Sequence, residues 1–253
     1  MKQVNVHIPY KKLNENIGLI KEKRLNLEIY FDATTLDTAK IADYKKLKKE
    51  LNYNPKFTFH APFIDMSPGS LDRLVRELTI KRFNQLFKIS DIFRPEVIVF
   101  HPGYDKWRYN GYSDTWLKNS IETWNEVLQR AEKLNTRVAV ENIFEEEPET
   151  LTMLVKGINS PNLGVCFDTG HFNLFSKVSL EKWFENIGDN IIEAHLHDNS
   201  GKSDDHLGIG DGTVQFDLFF SLLKNTRSNP ILTIEGHSRE AVEKSLINIQ
   251  KYL

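Results

Sequence analysis

Residues 191–212, IIEAHLHDNSGKSDDHLGIGDG, begin as an apolar strand and continue as a loop crowded with titratable groups. Three histidines and four aspartates fall within the 17 positions from His195 to Asp211. A strand followed by a polar loop is the recurring half-unit of α/β proteins, in which the loop after the strand carries function. The fold class therefore depends on how often this unit recurs along the chain.

Eight short runs have the composition of β-strands, and each is followed by turn residues and an amphipathic stretch. They are VNVHIP (4–9), LNLEIYF (25–31), KFTFHAP (56–62), VIVFHPG (97–103), RVAVENI (137–143), LGVCFDTGH (163–171), IIEAHLHDN (191–199) and ILTIEGH (231–237). Helical apolar spacing is clearest over 71–89, 116–134 and 241–253, and the predicted helix N-caps are Ser70, Ser179 and Ser238. Eight alternating units predict a single (β/α)8 TIM barrel, an α/β fold that spans residues 1–253 as one domain.

The composition restricts the class of protein. Lys and Arg total 33 against 35 for Asp and Glu, a formal net charge of −2, whereas a dedicated nucleic-acid protein is usually basic. The single cysteine, Cys166, lies in an apolar run and predicts a buried small side chain rather than a disulfide. No run of 18 apolar residues occurs, so we expect a cytoplasmic protein without membrane contact, in which exposed apolar helix faces allow a homodimer.

The polar residues follow the strands. All eight histidines fall on predicted strands or in the loops after them, and none is expected in a helix: His7, His60, His101, His171, His195, His197, His206 and His237. Glu141, Asp168 and Glu235 mark the ends of three strands, and further aspartates follow the seventh. Strand ends meet at one mouth of a TIM barrel, where such carboxylates would repel unless a cation lay between them. Mixed imidazole and carboxylate ligands favour Zn²⁺, Mn²⁺ or Fe²⁺ over Ca²⁺.

Seven short motifs occur in a characteristic order: HAPF (60–63), HPG (101–103), EN (141–142), DTGH (168–171), HLHDN (195–199), DDHLGIGDG (204–212) and IEG (234–236). In this order they resemble the xylose isomerase-like TIM-barrel superfamily, which includes sugar and sugar-phosphate isomerases and epimerases together with endonuclease IV. The resemblance covers nearly the whole chain, most of all from the third strand to the eighth.

The resemblance implies a metal site. The shared metal core of the superfamily maps onto Glu141, Asp168, His195 and Glu235. The endonuclease IV pattern adds five more residues, all present here: His60, His101, His171, Asp204 and His206. The set predicts one to three divalent ions, Zn²⁺ or Mn²⁺, although the added residues could instead hold substrate hydroxyls or phosphate, and Asp168 could cap the helix that follows it.

The resemblance leaves two main reactions open. The first is isomerisation or epimerisation of a sugar or sugar phosphate, in which Glu141 and Glu235 exchange a proton with the carbon next to a metal-bound carbonyl. The alternative is zinc-dependent hydrolysis of a phosphodiester in abasic DNA, with nucleic acid as partner. The glutamates of NIFEEEPET (142–150) and the absence of arginine from DATTLDTAK (32–40) weigh against DNA, so the sugar reaction ranks first. A non-catalytic binding barrel ranks last.

Four residues are candidates for substrate contact rather than for metal binding: His197, Phe63, Trp107 and Arg108. Phe63 stands where endonuclease IV places an aromatic wedge, and Trp107 and Arg108 lie in a long aromatic loop of the kind that sets specificity. Asp198 is expected to orient a ligand or its own loop. His7 and His237 are interpreted as ordinary barrel residues.

Overall fold

The computed structural model describes residues 2–253 and contains eight parallel strands. They are β1 (Val4–Pro9), β2 (Asn26–Tyr30), β3 (Phe57–His60), β4 (Val97–Phe100), β5 (Arg137–Glu141), β6 (Leu163–Asp168), β7 (Ile191–Leu196) and β8 (Ile231–Ile234). Each strand pairs with the next along the chain, and β8 pairs with β1, so the sheet closes into a barrel. The prediction of a (β/α)8 TIM barrel is confirmed, with all eight strands inside the runs named from the sequence.

Helices connect successive strands on the outside of the barrel. They are α1 (Leu13–Glu22), α2 (Ala33–Thr38), α3 (Ile41–Glu50), α4 (Arg73–Phe93), α5 (Ser113–Lys133), α6 (Glu149–Ile158), α7 (Thr169–Phe175), α8 (Leu180–Ile187), α9 (Phe216–Lys224) and α10 (Arg239–Asn248). Ser179 and Ser238 are N-caps, as predicted. The prediction for Ser70 was wrong, because the cap of α4 is Asp72, whose carboxylate accepts from the backbone N–H of Leu74 at 2.8 Å.

One histidine lies in a helix, contrary to the expectation that none would. Asp168 ends β6, and its Oδ1 accepts the backbone N–H of His171 at 2.6 Å. This side-chain bond satisfies an amide of the first helical turn, so α7 begins directly after the strand with no intervening loop. His171 therefore lies in the first turn of a short helix that begins at the mouth of the barrel.

Apolar packing fills the space between the strands and the helices. Trp116, Trp124 and Trp183 are fully buried there, and Cys166 is buried on β6, as its surroundings in the sequence predicted. Among the helices described over residues 2–253, none is both long and apolar enough to cross a membrane.

The interior of the barrel is unusually polar. Aliphatic side chains ordinarily fill the centre of this fold. Here, besides Asp168 and His195 at the mouth, the strands bury five further polar side chains with 0% exposure: Asn5, Glu28, Thr58, Glu193 and Thr233. They form a layer inside the barrel, and His195 on β7 lies against one of its carboxylates.

Candidate metal centre

A buried imidazole nitrogen with three acidic neighbours lies at the centre of the mouth. His195 Nδ1 is 3.4 Å from Glu235 Oε1, 3.5 Å from Glu141 Oε1 and 3.8 Å from Asp168 Oδ2. Among residues 2–253 this nitrogen has no hydrogen-bond partner. Two ligand atoms about 2.1 Å from a tetrahedral ion are separated by about 3.4 Å. The spacing and the donor set therefore fit a divalent cation held by the four residues of the predicted core.

Glu141 connects this centre to a second group of ligands. Its Oε2 lies 3.2 Å from His60 Nε2 and 3.4 Å from His101 Nε2, whereas its Oε1 faces His195. Burial raises the pKa of Glu141, but the charges of His195 and His101 outweigh burial and hold that pKa well below its ordinary value. The carboxylate is thus ionised and 1% exposed, and its two oxygens face different imidazoles.

A third group stands at the rim. Asp204 Oδ2 lies 3.1 Å from His206 Nε2 and 3.6 Å from His171 Nε2. The other nitrogens of both rings are directed at backbone carbonyls, His171 Nδ1 at Asn142 O (3.1 Å) and His206 Nδ1 at Glu235 O (3.0 Å). Such bonds fix the orientation of each ring and leave Nε2 for a cation. The structure thus brings together all nine predicted metal ligands, and their role as ligands remains a prediction.

Acidic neighbours favour the protonated form of both imidazoles in this third group. Burial lowers the pKa of His171, but the charge of Asp168 and a hydrogen bond with Asp204 raise it well above its ordinary value. Burial also lowers the pKa of His206, but a hydrogen bond with Asp204 and the charge of Glu235 outweigh burial and raise that pKa to about 9. Each proton occupies a nitrogen that a cation would need.

We therefore expect metal binding to strengthen as the pH rises from 6.5 to about 9. Below its pKa His206 is protonated and a cation must displace that proton; above it the competition ends, so affinity rises about tenfold per pH unit for each proton displaced. Competition between the protein and a chelator for Zn²⁺ at several pH values measures this. Asp204→Asn should flatten the dependence, and a dissociation constant that does not change over the range would contradict the expectation.

His197, in the HLHDN motif, lies next to the predicted metal ligands. His197 is fully buried, and its Nε2 lies 3.1 Å from both oxygens of Asp168. Its ring stacks on His206 with centroids 3.8 Å apart. A β-carbon at Gly170 would fall 2.0 Å from the His197 ring, so only glycine fits at that position of α7. His197 therefore contacts a predicted metal ligand, Asp168. A contact between His197 and substrate remains a prediction.

Asp198 anchors the long loop after β7, one of the two roles expected for it. Its carboxylate is fully buried and accepts four backbone N–H groups, at 2.9–3.0 Å. The donors are Asn199, Gly210, Gly212 and Val214. The loop of residues 199–214, which carries Asp204 and His206, is thereby fastened at both of its ends.

The remaining candidates for substrate contact differ in position. Phe63 is half-buried and stacks on His101 with centroids 4.3 Å apart, beside the second group of ligands. Trp107 is 78% exposed, and Arg108 is exposed next to it. Both backbone amides donate to Asp105 Oδ1 at 2.8 Å, which shapes the loop that presents them. Phe63 borders the centre, whereas the other two lie on the surface of their loop.

Sequence reasoning missed several residues of this region. His7 Nε2 lies 3.7 Å from Glu235 Oε1, and His237 stacks on the ring of His206 at 3.8 Å, so both border the centre rather than serving as ordinary barrel residues. Glu28 was also missed, although a charged residue in a strand buried on both faces is itself a signal.

Glu145 differs from the two glutamates that follow it, because its side chain is buried. This side chain is 5% exposed, and its Oε2 accepts the backbone N–H of Ile143 at 2.6 Å, which folds the loop inward. Burial raises the pKa of Glu145 to about 7. Glu146 and Glu147 remain at least partly exposed, and Glu146 pairs with Lys106.

The family follows from a comparison with known sequences. The sequence model of the family described as "Xylose isomerase-like TIM barrel" matches residues 22–252, almost the whole chain. The chain belongs to this family. One relative, the uncharacterized protein MJ1311 of Methanocaldococcus jannaschii, is 34% identical over 209 residues, which are 79% of this chain and 71% of that protein.

Other relatives of this xylose isomerase-like chain carry more specific names. The crystal structure of a D-tagatose 3-epimerase-like protein is 31% identical and superposes with a TM-score of 0.85 over 100% of this chain and 97% of the other. The TTHB071 protein of Thermus thermophilus, in crystals soaked with ZnCl₂, is 24% identical, with a TM-score of 0.85 over 99% and 97% of the two chains. A probable endonuclease 4 of Mesoplasma florum is 25% identical over 252 residues, 86% of this chain and 84% of that protein.

Proposed function

We propose that this chain is a divalent-metal-dependent isomerase or epimerase of a sugar or sugar phosphate. One observation carries the proposal: Glu141 and Glu235 lie within 3.5 Å of the same buried nitrogen, His195 Nδ1. They arrive from β5 and from the loop after β8, which are on different sides of the mouth. The similarity to a D-tagatose 3-epimerase-like protein over the whole chain supports the same reaction class.

The two carboxylates suit proton transfer at a carbon atom. A bound Zn²⁺ or Mn²⁺ supplies Lewis acidity that stabilises negative charge on the carbonyl oxygen of a ketose. Glu141 and Glu235 are 1% and 5% exposed, so water screens their charges only weakly. One of the two glutamates, as the carboxylate, would remove the proton from the carbon next to the carbonyl, and the other, as the carboxylic acid, would deliver its own proton to that carbon, so that the two exchange protonation states.

The number of ions depends on the outer groups. The core of Glu141, Asp168, His195 and Glu235 suffices for one ion, and the pair His60 and His101 adds a second position through Glu141 Oε2. The rim group of Asp204, His171 and His206 adds a third. We propose that one to three divalent ions bind.

A second candidate function is hydrolysis of phosphodiesters in abasic DNA. The presence of all nine residues of the endonuclease IV pattern around one mouth favours it, together with the similarity to a probable endonuclease 4. Acidic side chains oppose it, because DNA binding depends on neutralising phosphates. Glu146 and Glu147 line the loop after β5, and the nearby cation Lys106 is paired with Glu146. The sugar reaction is the better supported of the two.

Metal analysis of protein purified without added metal, followed by assays on a defined panel, tests this choice. The panel contains ketoses, ketose phosphates and a duplex with one abasic site, each supplied with Zn²⁺ or Mn²⁺. We expect deuterium from D₂O to enter one sugar at the carbon next to its carbonyl, with a change of epimer or isomer. Nicking of the duplex without exchange in any sugar would overturn the proposal in favour of the second candidate.

A further inference from the structure

The buried layer beneath the candidate metal centre contains two carboxyl groups that the proposed reaction does not use. Glu28 on β2 and Glu193 on β7 are both fully buried inside the barrel. A carboxyl group buried without compensation costs several kcal/mol or changes its protonation, so both of these groups require partners. Their contacts show what each one does for the centre above.

Glu28 is directed at the imidazole of His195. The two carboxylate oxygens lie 3.1 Å and 3.2 Å from His195 Nε2, and both side chains have 0% exposure. A carboxylate accepts and cannot donate, so Nε2 carries the proton of this contact. The opposite nitrogen, Nδ1, is then the one that faces Glu141 and Glu235.

A short hydrogen-bonded chain holds Glu28 and Glu193 in place. Asn5 Nδ2 donates to Thr58 Oγ1 at 3.0 Å, so the threonine hydroxyl must direct its own proton toward a carboxylate. That hydroxyl lies 3.0 Å from Glu193 Oε1 and 3.4 Å from Glu28 Oε2. Thr233 Oγ1 donates to the same Glu193 oxygen at 2.6 Å. Glu28 thus contacts Thr58 of β3 and His195 of β7, and the chain that includes Thr58 extends to Asn5 of β1 and Thr233 of β8.

We propose that Glu28 is a positioning residue for His195. It accepts the Nε2 proton and so presents Nδ1, free of a proton, to the cation between Glu141, Asp168 and Glu235. The inference rests on the proposed metal-dependent function, because it assigns one of the ligands its orientation. A carboxylate behind a ligating imidazole also increases the basicity of the ring, and removing such a partner weakens metal binding by about 10- to 100-fold.

Metal affinity separates this role from a merely structural one. In Glu28→Gln the amide oxygen can still accept the Nε2 proton, but the negative charge that increases the basicity of the ring is lost. We therefore expect the dissociation constant for Zn²⁺, measured by chelator competition, to rise about 10- to 100-fold while the circular dichroism spectrum is unchanged. Glu193→Gln is the matched control, since its amide oxygen still accepts from Thr58 and Thr233. Its affinity should stay within about threefold of the original protein. Equal losses in the two variants, or no loss in Glu28→Gln, would overturn the inference.

A second experiment uses the unaltered protein, so its result does not depend on whether a variant folds. With ¹⁵N-labelled histidine and bound ¹¹³Cd²⁺, one-bond coupling identifies the ligating nitrogen of each ring. We expect coupling to Nδ1 for His195, and coupling to Nε2 would overturn the inference while leaving the metal-dependent function intact. A protein that binds neither Zn²⁺ nor Cd²⁺ would overturn both, whereas an unchanged affinity in Glu28→Gln overturns the positioning role alone.

Discussion

Glu235→Gln is expected to lose about a thousandfold or more of its epimerisation rate, because one of the two proton-transferring groups is gone. Glu141 remains, so the variant should still exchange the proton of one epimer with D₂O without converting it to the other. Nuclear magnetic resonance follows both epimerisation and deuterium exchange in one sample. The metal is kept at a saturating concentration, because each carboxylate is also a predicted metal ligand.

The reciprocal variant makes this test sharper. Glu141→Gln should exchange the proton of the opposite epimer only, since Glu235 then acts alone. Glu185→Gln, an exposed glutamate on α8, serves as the control and should retain the full rate. Full epimerisation in both Glu141→Gln and Glu235→Gln would contradict the roles assigned to these two carboxylates.

Asp198→Ala is expected to lower the free energy of unfolding by about 3–5 kcal/mol. The substitution leaves four backbone N–H groups without their acceptor, in a position with 0% exposure. The loop of residues 199–214 should then loosen at both of its ends, although the backbone pair of Asp198 and Leu207 remains, and the rim group built on Asp204 and His206 should bind metal less completely. Urea unfolding measures the first effect, and Zn²⁺ stoichiometry measures the second.

Two comparisons test the explanation. Asp198→Asn should cost less than alanine, because Oδ1 still accepts while the amide nitrogen opposes the donors that Oδ2 received, Gly210 and Gly212. Asp211→Ala lies in the same loop and removes an exposed carboxylate paired with Lys244, so we expect a change within about 0.5 kcal/mol. A stable Asp198→Ala protein with its full metal content would contradict this role, because the remaining bonds of the loop, such as the backbone pair of Asp198 and Leu207, would then suffice.

The architecture was accessible from the sequence because its signals are local. A strand such as 191–196 is apolar, short and followed at once by polar residues, and eight such units permit few topologies. The mouth was accessible for the same reason, since Glu141, Asp168 and His195 each end or nearly end a strand. In a parallel barrel these ends meet whatever the sequence of the helices.

Other features depend on which way a side chain points. Both faces of a barrel strand are buried, so the alternation of NLEIY (26–30) does not reveal whether Glu28 faces the helices or the interior. The inward turn of Glu145 depends on a backbone contact with Ile143 that no periodicity predicts. Asp168 caps α7 and also faces the centre, and these two roles together place His171 in a helix that begins directly after β6. The sequence pattern did not show that one carboxylate fills both roles.

The two oxygens of Glu141 have a consequence for how the centre fills. They face different groups of imidazoles, yet they belong to one carboxylate with one unit of charge to share. An ion on one side draws on that charge and restricts the rotation of the side chain, so it alters the affinity on the other side. Thermodynamic linkage makes this influence equal in both directions. If both positions beside Glu141 hold ions, we expect them to load as a coupled pair, whose occupancies two independent binding constants would not describe.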